Sequence, residues 1–455
     1  MSKPAENKMG TAPVARLLLS MSLPAMFSML VQSLYNIVDS IFVAKIGESA
    51  LAAVSLAFPI QTLMIAVAVG TGVGINSLIS RRLGEGDRKA ADRAASHGII
   101  LGAISWAVFA LLGVFISRPF FQMFSTNCAV IQAGADYLSI VTILSLGIFV
   151  EISVEKTLQA TGNMIYPMIF QLIGAVINLI LAPILIFGLL GFPAMGVAGA
   201  ALATVLGQII SMIYSLYIVF RKDHEVTIRL KGFRFPARPV KDIYTVGAPS
   251  ILMQSIGSVL NIGLNAILAG FSEAAVSVLG VYYKLQSFVF MPVFGLNQGV
   301  MPIMGYNYGA RNRKRVLDAL KWGCIIAVCI MAVGCVLFMG FPQLLLGMFN
   351  PTAEMLEIGI PALRTISLCF LPAALGILAS TLFQAIGMGS RSLIISILRQ
   401  VVIILPAAYL FSKISLASVW YAFPLAEVVS LLVSILFVWQ VYRLKLRHLD
   451  DEATL

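Results

Sequence analysis

The chain has 455 residues, of which 59% are hydrophobic and only 11% charged, and its mean hydropathy is +0.95. So little polar surface cannot coat a water-soluble domain, which excludes a soluble globular protein. The formal charge of +11 would suit nucleic acid in a soluble chain, but here the basic residues follow membrane topology and that partner is excluded too.

A helix crosses the hydrocarbon core with about 20 mostly apolar residues. Runs of that kind predict spans at roughly 17–43, 51–79, 94–117, 133–158, 164–188, 194–220, 243–270, 275–303, 317–341, 356–386, 391–412 and 415–441. The expected fold is an all-α integral membrane protein with twelve transmembrane helices in two pseudo-symmetric six-helix lobes. Its segments are 1–16, a first lobe over 17–220, a linker over 221–242, a second lobe over 243–441 and a tail over 442–455. The first run has no small-residue cleavage site behind a short apolar core, so it is expected to be kept as a helix. Alternate gaps and both termini collect the basic residues, from Lys3 to Arg16, Arg81 to Arg93, Arg221 to Lys241, Arg311 to Lys321, Arg391, and Arg443 to Arg447. The other gaps hold only Lys45, Arg118 and Lys413. By the positive-inside rule both termini are expected to be cytoplasmic.

In the first span Gln32, Asn36 and Asp39 stand at i, i+4 and i+7, with Tyr35 beside them, a spacing that puts them on one helix face. An ionisable group at the centre of a membrane helix costs about 2.5–3.5 kcal/mol even on a lenient scale. The stripe is therefore expected to line a cavity, with Tyr35 among the cavity residues. Counting inward from Val43 at about 1.5 Å per residue puts Asp39 in the outer half of the membrane. Removing a carboxylate from water favours its neutral form, and an approaching cation favours the ionised one. Proton and cation then compete for Asp39, and if protonation favours one of two lobe arrangements the competition is antiport. The alternative is an acid merely satisfied by Gln32 and Asn36. Pro24, near the start of the same helix, permits a bend that would move this face; a packing kink shared with Pro249 is the other explanation.

Along the rest of the first half, "GTGVG" (70–74) follows no strand and is expected to serve close helix packing. Glu155 and Lys156 fall near a helix end and are expected to snorkel to the interface, whereas Glu151, one turn deeper, is a candidate cavity residue. In the fifth span Asn178 stands four residues before Ala182 and just upstream of Pro183, a candidate to complete the acid's site. Thr204, in the sixth, either adds a hydroxyl there or bonds its own backbone. The linker 221–242 is too polar to span and too short to be a domain. In the second half Lys284, Arg399 and Glu427 are expected to compensate one another or to touch substrate, with their pairing left open. Cys128, Cys324, Cys329, Cys335 and Cys369 lack metal-ligand spacing and are expected to be small core residues. No Walker motif, metal cluster or activated nucleophile appears, so no enzyme, metal site or cofactor is expected, and energy must come from an ion gradient or a partner.

The chain is also written twice. At an offset of 225, Pro24 meets Pro249, Asn36 meets Asn261, Gln61 meets Gln286, Gly70 meets Gly295 and Gly74 meets Gly299. The register holds through "LQATG" (158–162) against "FQAIG" (383–387). Each half has six spans, so the repeat is parallel, an arrangement that suits alternating access. Asp39 has only Leu264 opposite it, so the acid belongs to the first half alone.

The stretches "SLPAMFSMLVQSLYNIVDSIFVAKIGESALAAVSLAFPI" (22–60), "GTGVGINSLISRRLGEGD" (70–87), "LQATGN" (158–163), "GVAGAALAT" (196–204) and "FMPVFGLNQGVMPIMGYNYGARN" (290–312) resemble the multidrug and toxic compound extrusion (MATE) family over nearly the whole chain. Within that family the chain is most similar to the bacterial branch that includes the DNA-damage-inducible members. The resemblance implies export of cationic amphipathic compounds by antiport with protons or sodium, through rocking of two lobes in a bacterial cytoplasmic (inner) membrane. It implies no cofactor and no obligate protein partner. Asp39 matches the family's coupling acid, Pro24 its bending proline, and Asn178 and Thr204 polar members of the same cation site. Relatives commonly carry N-x-x-x-D-P in the fifth helix, where this chain has Ala182. With one acid, a sodium ion at Asp39 and Asn178 is poorly coordinated, whereas single-site protonation still works, which favours proton coupling. The alternative from the same superfamily is a lipid-linked saccharide flippase. Its cavity should be lined with several Arg or Lys residues, and the first-half spans offer almost none.

Overall fold

The computed structural model describes residues 7–229 and 236–449. Lys3, Lys231 and Arg234 of the basic set, and the corresponding parts of the segments 1–16, 221–242 and 442–455, lie outside the described residues. After α1 (Lys8–Thr11), the first half runs through α2 (Val14–Ala44), α3 (Glu48–Gly84), α4 (Arg88–Phe124), α5 (Cys128–Ile143), α6 (Leu146–Ala160), α7 (Ile165–Phe187) and α8 (Gly196–Arg221). The second half follows with α9 (Ala237–Ala269), α10 (Glu273–Gly309), α11 (Arg313–Gly340), α12 (Pro342–Gly347), α13 (Ala353–Ser367), α14 (Phe370–Ala385), α15 (Gly389–Ile397), α16 (Leu405–Ser412), α17 (Leu416–Val419) and α18 (Ala422–Val441). A π-helical segment, Leu398–Ile404, joins α15 to α16, and another, Tyr442–Leu446, follows α18. Among the described residues there is no strand, as a bilayer requires of a chain that does not close a barrel.

Among the described residues ten helical stretches are long and apolar enough to cross a membrane, and two bent pairs, α5 with α6 at 41° and α13 with α14 at 48°, bring the number to twelve if each pair is one span. The apolar composition continues through both breaks, which is why the sequence shows one span at each place. The repeat governs local structure closely. Asp87 caps α4 by accepting from the Ala90 amide, and Asn312, 225 residues on, caps α11 by accepting from that of Arg315. Gly162 and Gly387, which end "LQATG" and "FQAIG", have φ of 86° and 81°, the left-handed conformation that glycine adopts without strain.

The compact units do not follow the two sequence halves. One unit is 27–251, and the other joins 1–26 to 252–455. The boundaries fall at Met26 and Ile251, which are themselves related by the repeat. Thus α2 gives its first half to the second-half unit, and α9 gives its first half to the first-half unit. Glycine makes both exchanges. A Cβ on Gly70 would lie 2.7 Å from the amide nitrogen of Ile251, and one on Gly295 would lie 2.6 Å from that of Met26. "GTGVG" is therefore a packing stripe, and its central Gly72 leaves room for the Lys156 stem, with Lys156 Cγ 2.6 Å from where a Cβ would stand.

Large apolar side chains such as Phe115 and Ile262 cover the outside of the helices, as lipid contact demands. The cysteines follow the same logic and correct the expectation of five core residues: only Cys369 is buried, while Cys128 and Cys329 are exposed and Cys324 and Cys335 half-buried. In a membrane protein the lipid face is as apolar as the interior, so a small apolar residue is not driven inward.

Candidate functional site

Within the unit 27–251, five helices bring polar groups around Asp39. On α2, Gln32 Nε2 donates to Asn36 Oδ1 at 3.4 Å, and Ser40 Oγ donates to the Asn36 carbonyl at 2.8 Å. Asp39 is half-buried, and its Oδ1 is enclosed without a hydrogen-bond donor among the described residues. The Tyr35 hydroxyl, from the same helix, adjoins Thr204 and lies within electrostatic range of the Asp39 carboxylate, as does the hydroxyl of Tyr137 on α5. Gln61 Nε2, from α3, donates to that Tyr137 hydroxyl at 3.1 Å. Asn178 Nδ2, from α7, donates to Thr204 Oγ1 on α8 at 2.8 Å, and the Thr204 hydroxyl donates to the Ala200 carbonyl at 3.1 Å. Thr204 thus bonds its own backbone and receives Asn178 at once.

An enclosed carboxylate oxygen with no donor is unfavourable when ionised unless a proton or a cation completes it. The amides of Gln32 and Asn36 bond each other rather than the acid, which weakens the view that they exist to satisfy it. Sequence reasoning missed Gln61 and Tyr137 as members of this cluster. The available signal was Gln61 itself, an amide inside an apolar span.

Ala182 is fully buried among Val43, Leu185, Ile186, Ala200 and Ala203. One turn beyond Asn178, the helix therefore presents an apolar surface where relatives commonly place a second acid. Pro24 stands inside α2, in the half of the helix that belongs to the other unit. It is fifteen residues, about 22 Å of helix, before Asp39 and is not in the cluster.

Glu151 belongs to a separate buried network. Its Oε1 accepts from Ser211 Oγ at 3.4 Å. Beside it Lys156 Nζ pairs with Glu155 Oε1 at 2.9 Å, and Glu155 also accepts from Gln159 at 2.8 Å and from Gln171 at 3.0 Å. Glu155 and Lys156 are 3% and 6% exposed, so the expectation that they snorkel to the interface is corrected: opposite charges and amide donors compensate one another inside the bundle instead. In the other unit Arg399 Nη1 meets Glu427 Oε1 at 3.2 Å. Lys284 is not their partner, since its Nζ lies over the Phe349 ring, 5.9 Å from the centroid.

The family model described as MatE matches the chain twice, over residues 24–184 and 249–410, the same offset of 225 at its start. The chain is 27% identical to the multidrug export protein MepA of Staphylococcus saprophyticus over 95% of both chains. It is 26% identical to a FAD transporter of Shewanella oneidensis over 89% of both. Among solved structures, the outward-facing conformation of a multidrug resistance MATE family transporter of the MOP superfamily superposes with a TM-score of 0.92. That structure is 28% identical and covers 99% of this chain and 100% of its own.

Proposed function

The chain belongs to the MATE family of multidrug transporters, and on that footing we propose that it exports cationic amphipathic compounds in exchange for protons, with Asp39 as the coupling acid. The observation that carries this reading is the enclosed Oδ1 of Asp39, without a donor among the described residues, in electrostatic range of the Tyr35 hydroxyl that adjoins Thr204 of the Asn178–Thr204 pair. A proton or a cationic drug completes that oxygen, and the two exclude each other. Alternating access then links the entry of one to the exit of the other. Sodium is the weaker coupling ion, because Ala182 withholds a second carboxylate and leaves one acid with neutral oxygens to replace its water shell. A FAD-like cargo is disfavoured at this site, where its phosphates would meet the Asp39 carboxylate. The basic residues gathered on alternate gaps support cytoplasmic termini in a bacterial inner membrane.

The test is ethidium flux into proteoliposomes under separately imposed proton and sodium gradients. One pH unit stores about 1.4 kcal/mol per proton, enough for roughly tenfold accumulation at one-for-one electroneutral exchange. Wild type should approach that ratio, and Asp39→Asn, equally well expressed, should equilibrate ethidium near unity. Undiminished pH-driven accumulation in the variant would discard the assignment.

A further inference from the structure

The geometry points to a second ligand site, formed wholly by residues after Leu252, that takes a flat aromatic ring system bearing an anionic group. This site goes beyond the Asp39 reading and does not depend on it. It is a cavity of about 260 Å³ whose polar lining includes Arg399, Glu427, Asn261, Gln286 and Gln400.

Two charges deep in a membrane bundle require a reason. Arg399 stands ten residues, about 15 Å of helix, into the span that begins at Gly389. There the backbone leaves α geometry for the π-helical turns Leu398–Ile404, just ahead of Pro406, which has no N–H to give and whose ring crowds the preceding turn. Such widened turns are frequent at functional sites, and this one carries Arg399, Gln400 and Ile404 to the cavity.

The Arg399–Glu427 contact looks incomplete for a clamp. It is a single approach at 3.2 Å, with the arginine side chain 27% exposed and the glutamate 12%. A guanidinium has five N–H donors in a planar fork, and those not aimed at Glu427 suit the paired oxygens of a carboxylate or phosphate. The surrounding walls are aromatic: Tyr282 and Phe423 meet edge to face at 6.0 Å, and Phe290 and Phe294 lie 6.4 Å apart. Ring faces of this kind accept a flat ligand by stacking or edge contacts, and the cavity has room for one or two fused rings. Asn261 and Gln286 are the repeat partners of Asn36 and Gln61 from the Asp39 cluster. The two halves thus share an amide framework, but Arg399, with Gly174 as its repeat partner, belongs to this half alone, as Asp39, with Leu264 opposite it, belongs to the other.

Glu427 is, on this view, an internal competitor for Arg399, which gives the two charges opposite signs in a binding experiment. Purified full-length protein in detergent is titrated calorimetrically with 2-naphthoate and with its neutral isostere 2-naphthamide, after subtraction of titrations into protein-free micelles. Wild type should bind the carboxylate at least about tenfold more tightly than the amide, the range expected of a charge-assisted pair. Arg399→Gln should weaken naphthoate by about tenfold or more, and Glu427→Gln should tighten it. Should Arg399→Gln fail to fold, the gain in Glu427→Gln still decides the matter. Equal affinity for the two probes, no binding of either, or a loss of naphthoate in both variants, as a purely structural pair would give, overturns the proposal. No ion gradient is present, so the outcome is independent of the flux test on Asp39→Asn.

Discussion

Replacing Gly70 by alanine tests whether glycine lets α9 cross onto the first-half unit. The new Cβ would stand 2.5 Å from Ile251 Cγ1, 2.7 Å from its amide nitrogen and 3.0 Å from its Cα. The Cγ1 contact can be relieved by rotating a side chain, but the other two are backbone. Ordinary contact begins at 3.4 Å, so α9 has to retreat by about 0.7 Å along a tightly packed face. Overpacking of this kind costs about 1–3 kcal/mol, against which alanine's helix preference over glycine returns at most about 1 kcal/mol. Because two of the three close approaches are to backbone, at 2.7 and 3.0 Å, the cost falls in the upper part of that range, about 2–3 kcal/mol, and the net loss of about 1–2 kcal/mol lowers the unfolding midpoint of a unit of this size by about 2–8 °C. Gly376→Ala is the control, since nothing lies within 4 Å of its Cβ position and only the helix preference remains. Thermal unfolding of the purified variants in one detergent should rank Gly70→Ala below wild type and Gly376→Ala at or above it. Gly295→Ala, with its Cβ 2.6 Å from the Met26 amide nitrogen, should behave like Gly70→Ala. If Gly70→Ala melts with or above Gly376→Ala, the crossing does not depend on glycine and the account of the unit boundaries fails.

Ala182→Asp would set a carboxylate into the apolar cluster one turn beyond Asn178, where a bound cation is the natural compensation. The unfolding midpoint of that variant should rise with sodium at constant ionic strength while wild type stays flat, and its ethidium exchange should gain sodium dependence. If neither changes, position 182 lies outside the coupling site. Glu155→Gln removes the counter-charge 2.9 Å from Lys156 while keeping the shape. Breaking a buried pair costs about 3–5 kcal/mol, and Glu151 lies within electrostatic range of Lys156, so the lower end, about 3 kcal/mol, is expected in unfolding experiments. An unchanged midpoint would show that the network contributes nothing to folding.

The Asp39 stripe was legible in the sequence because a polar face inside an apolar helix is a local pattern, and Asn178 and Thr204 stood out for the same reason. The fold brings those two, 26 positions apart in the chain, to 2.8 Å. Tyr137 was illegible, since a tyrosine in an apolar span is ordinary until Gln61 is seen to donate to it. The burial of Glu155 and Lys156 was misjudged because a helix end in sequence does not reveal whether other helices cover it.

Sequence alone determined the helical class, the duplication and the polar stripe of the first span. Each depends on neighbours a few residues away or on a register that can be counted. Only the tertiary structure decided that the units are divided at Met26 and Ile251, that two spans bend, and that Glu427 pairs with Arg399 rather than with Lys284. The reason lies in the solvent. In water, hydrophobicity separates inside from outside, but in a bilayer both faces of a helix are apolar, and which of them meets another helix is settled by shape and by the pairing of the few polar groups.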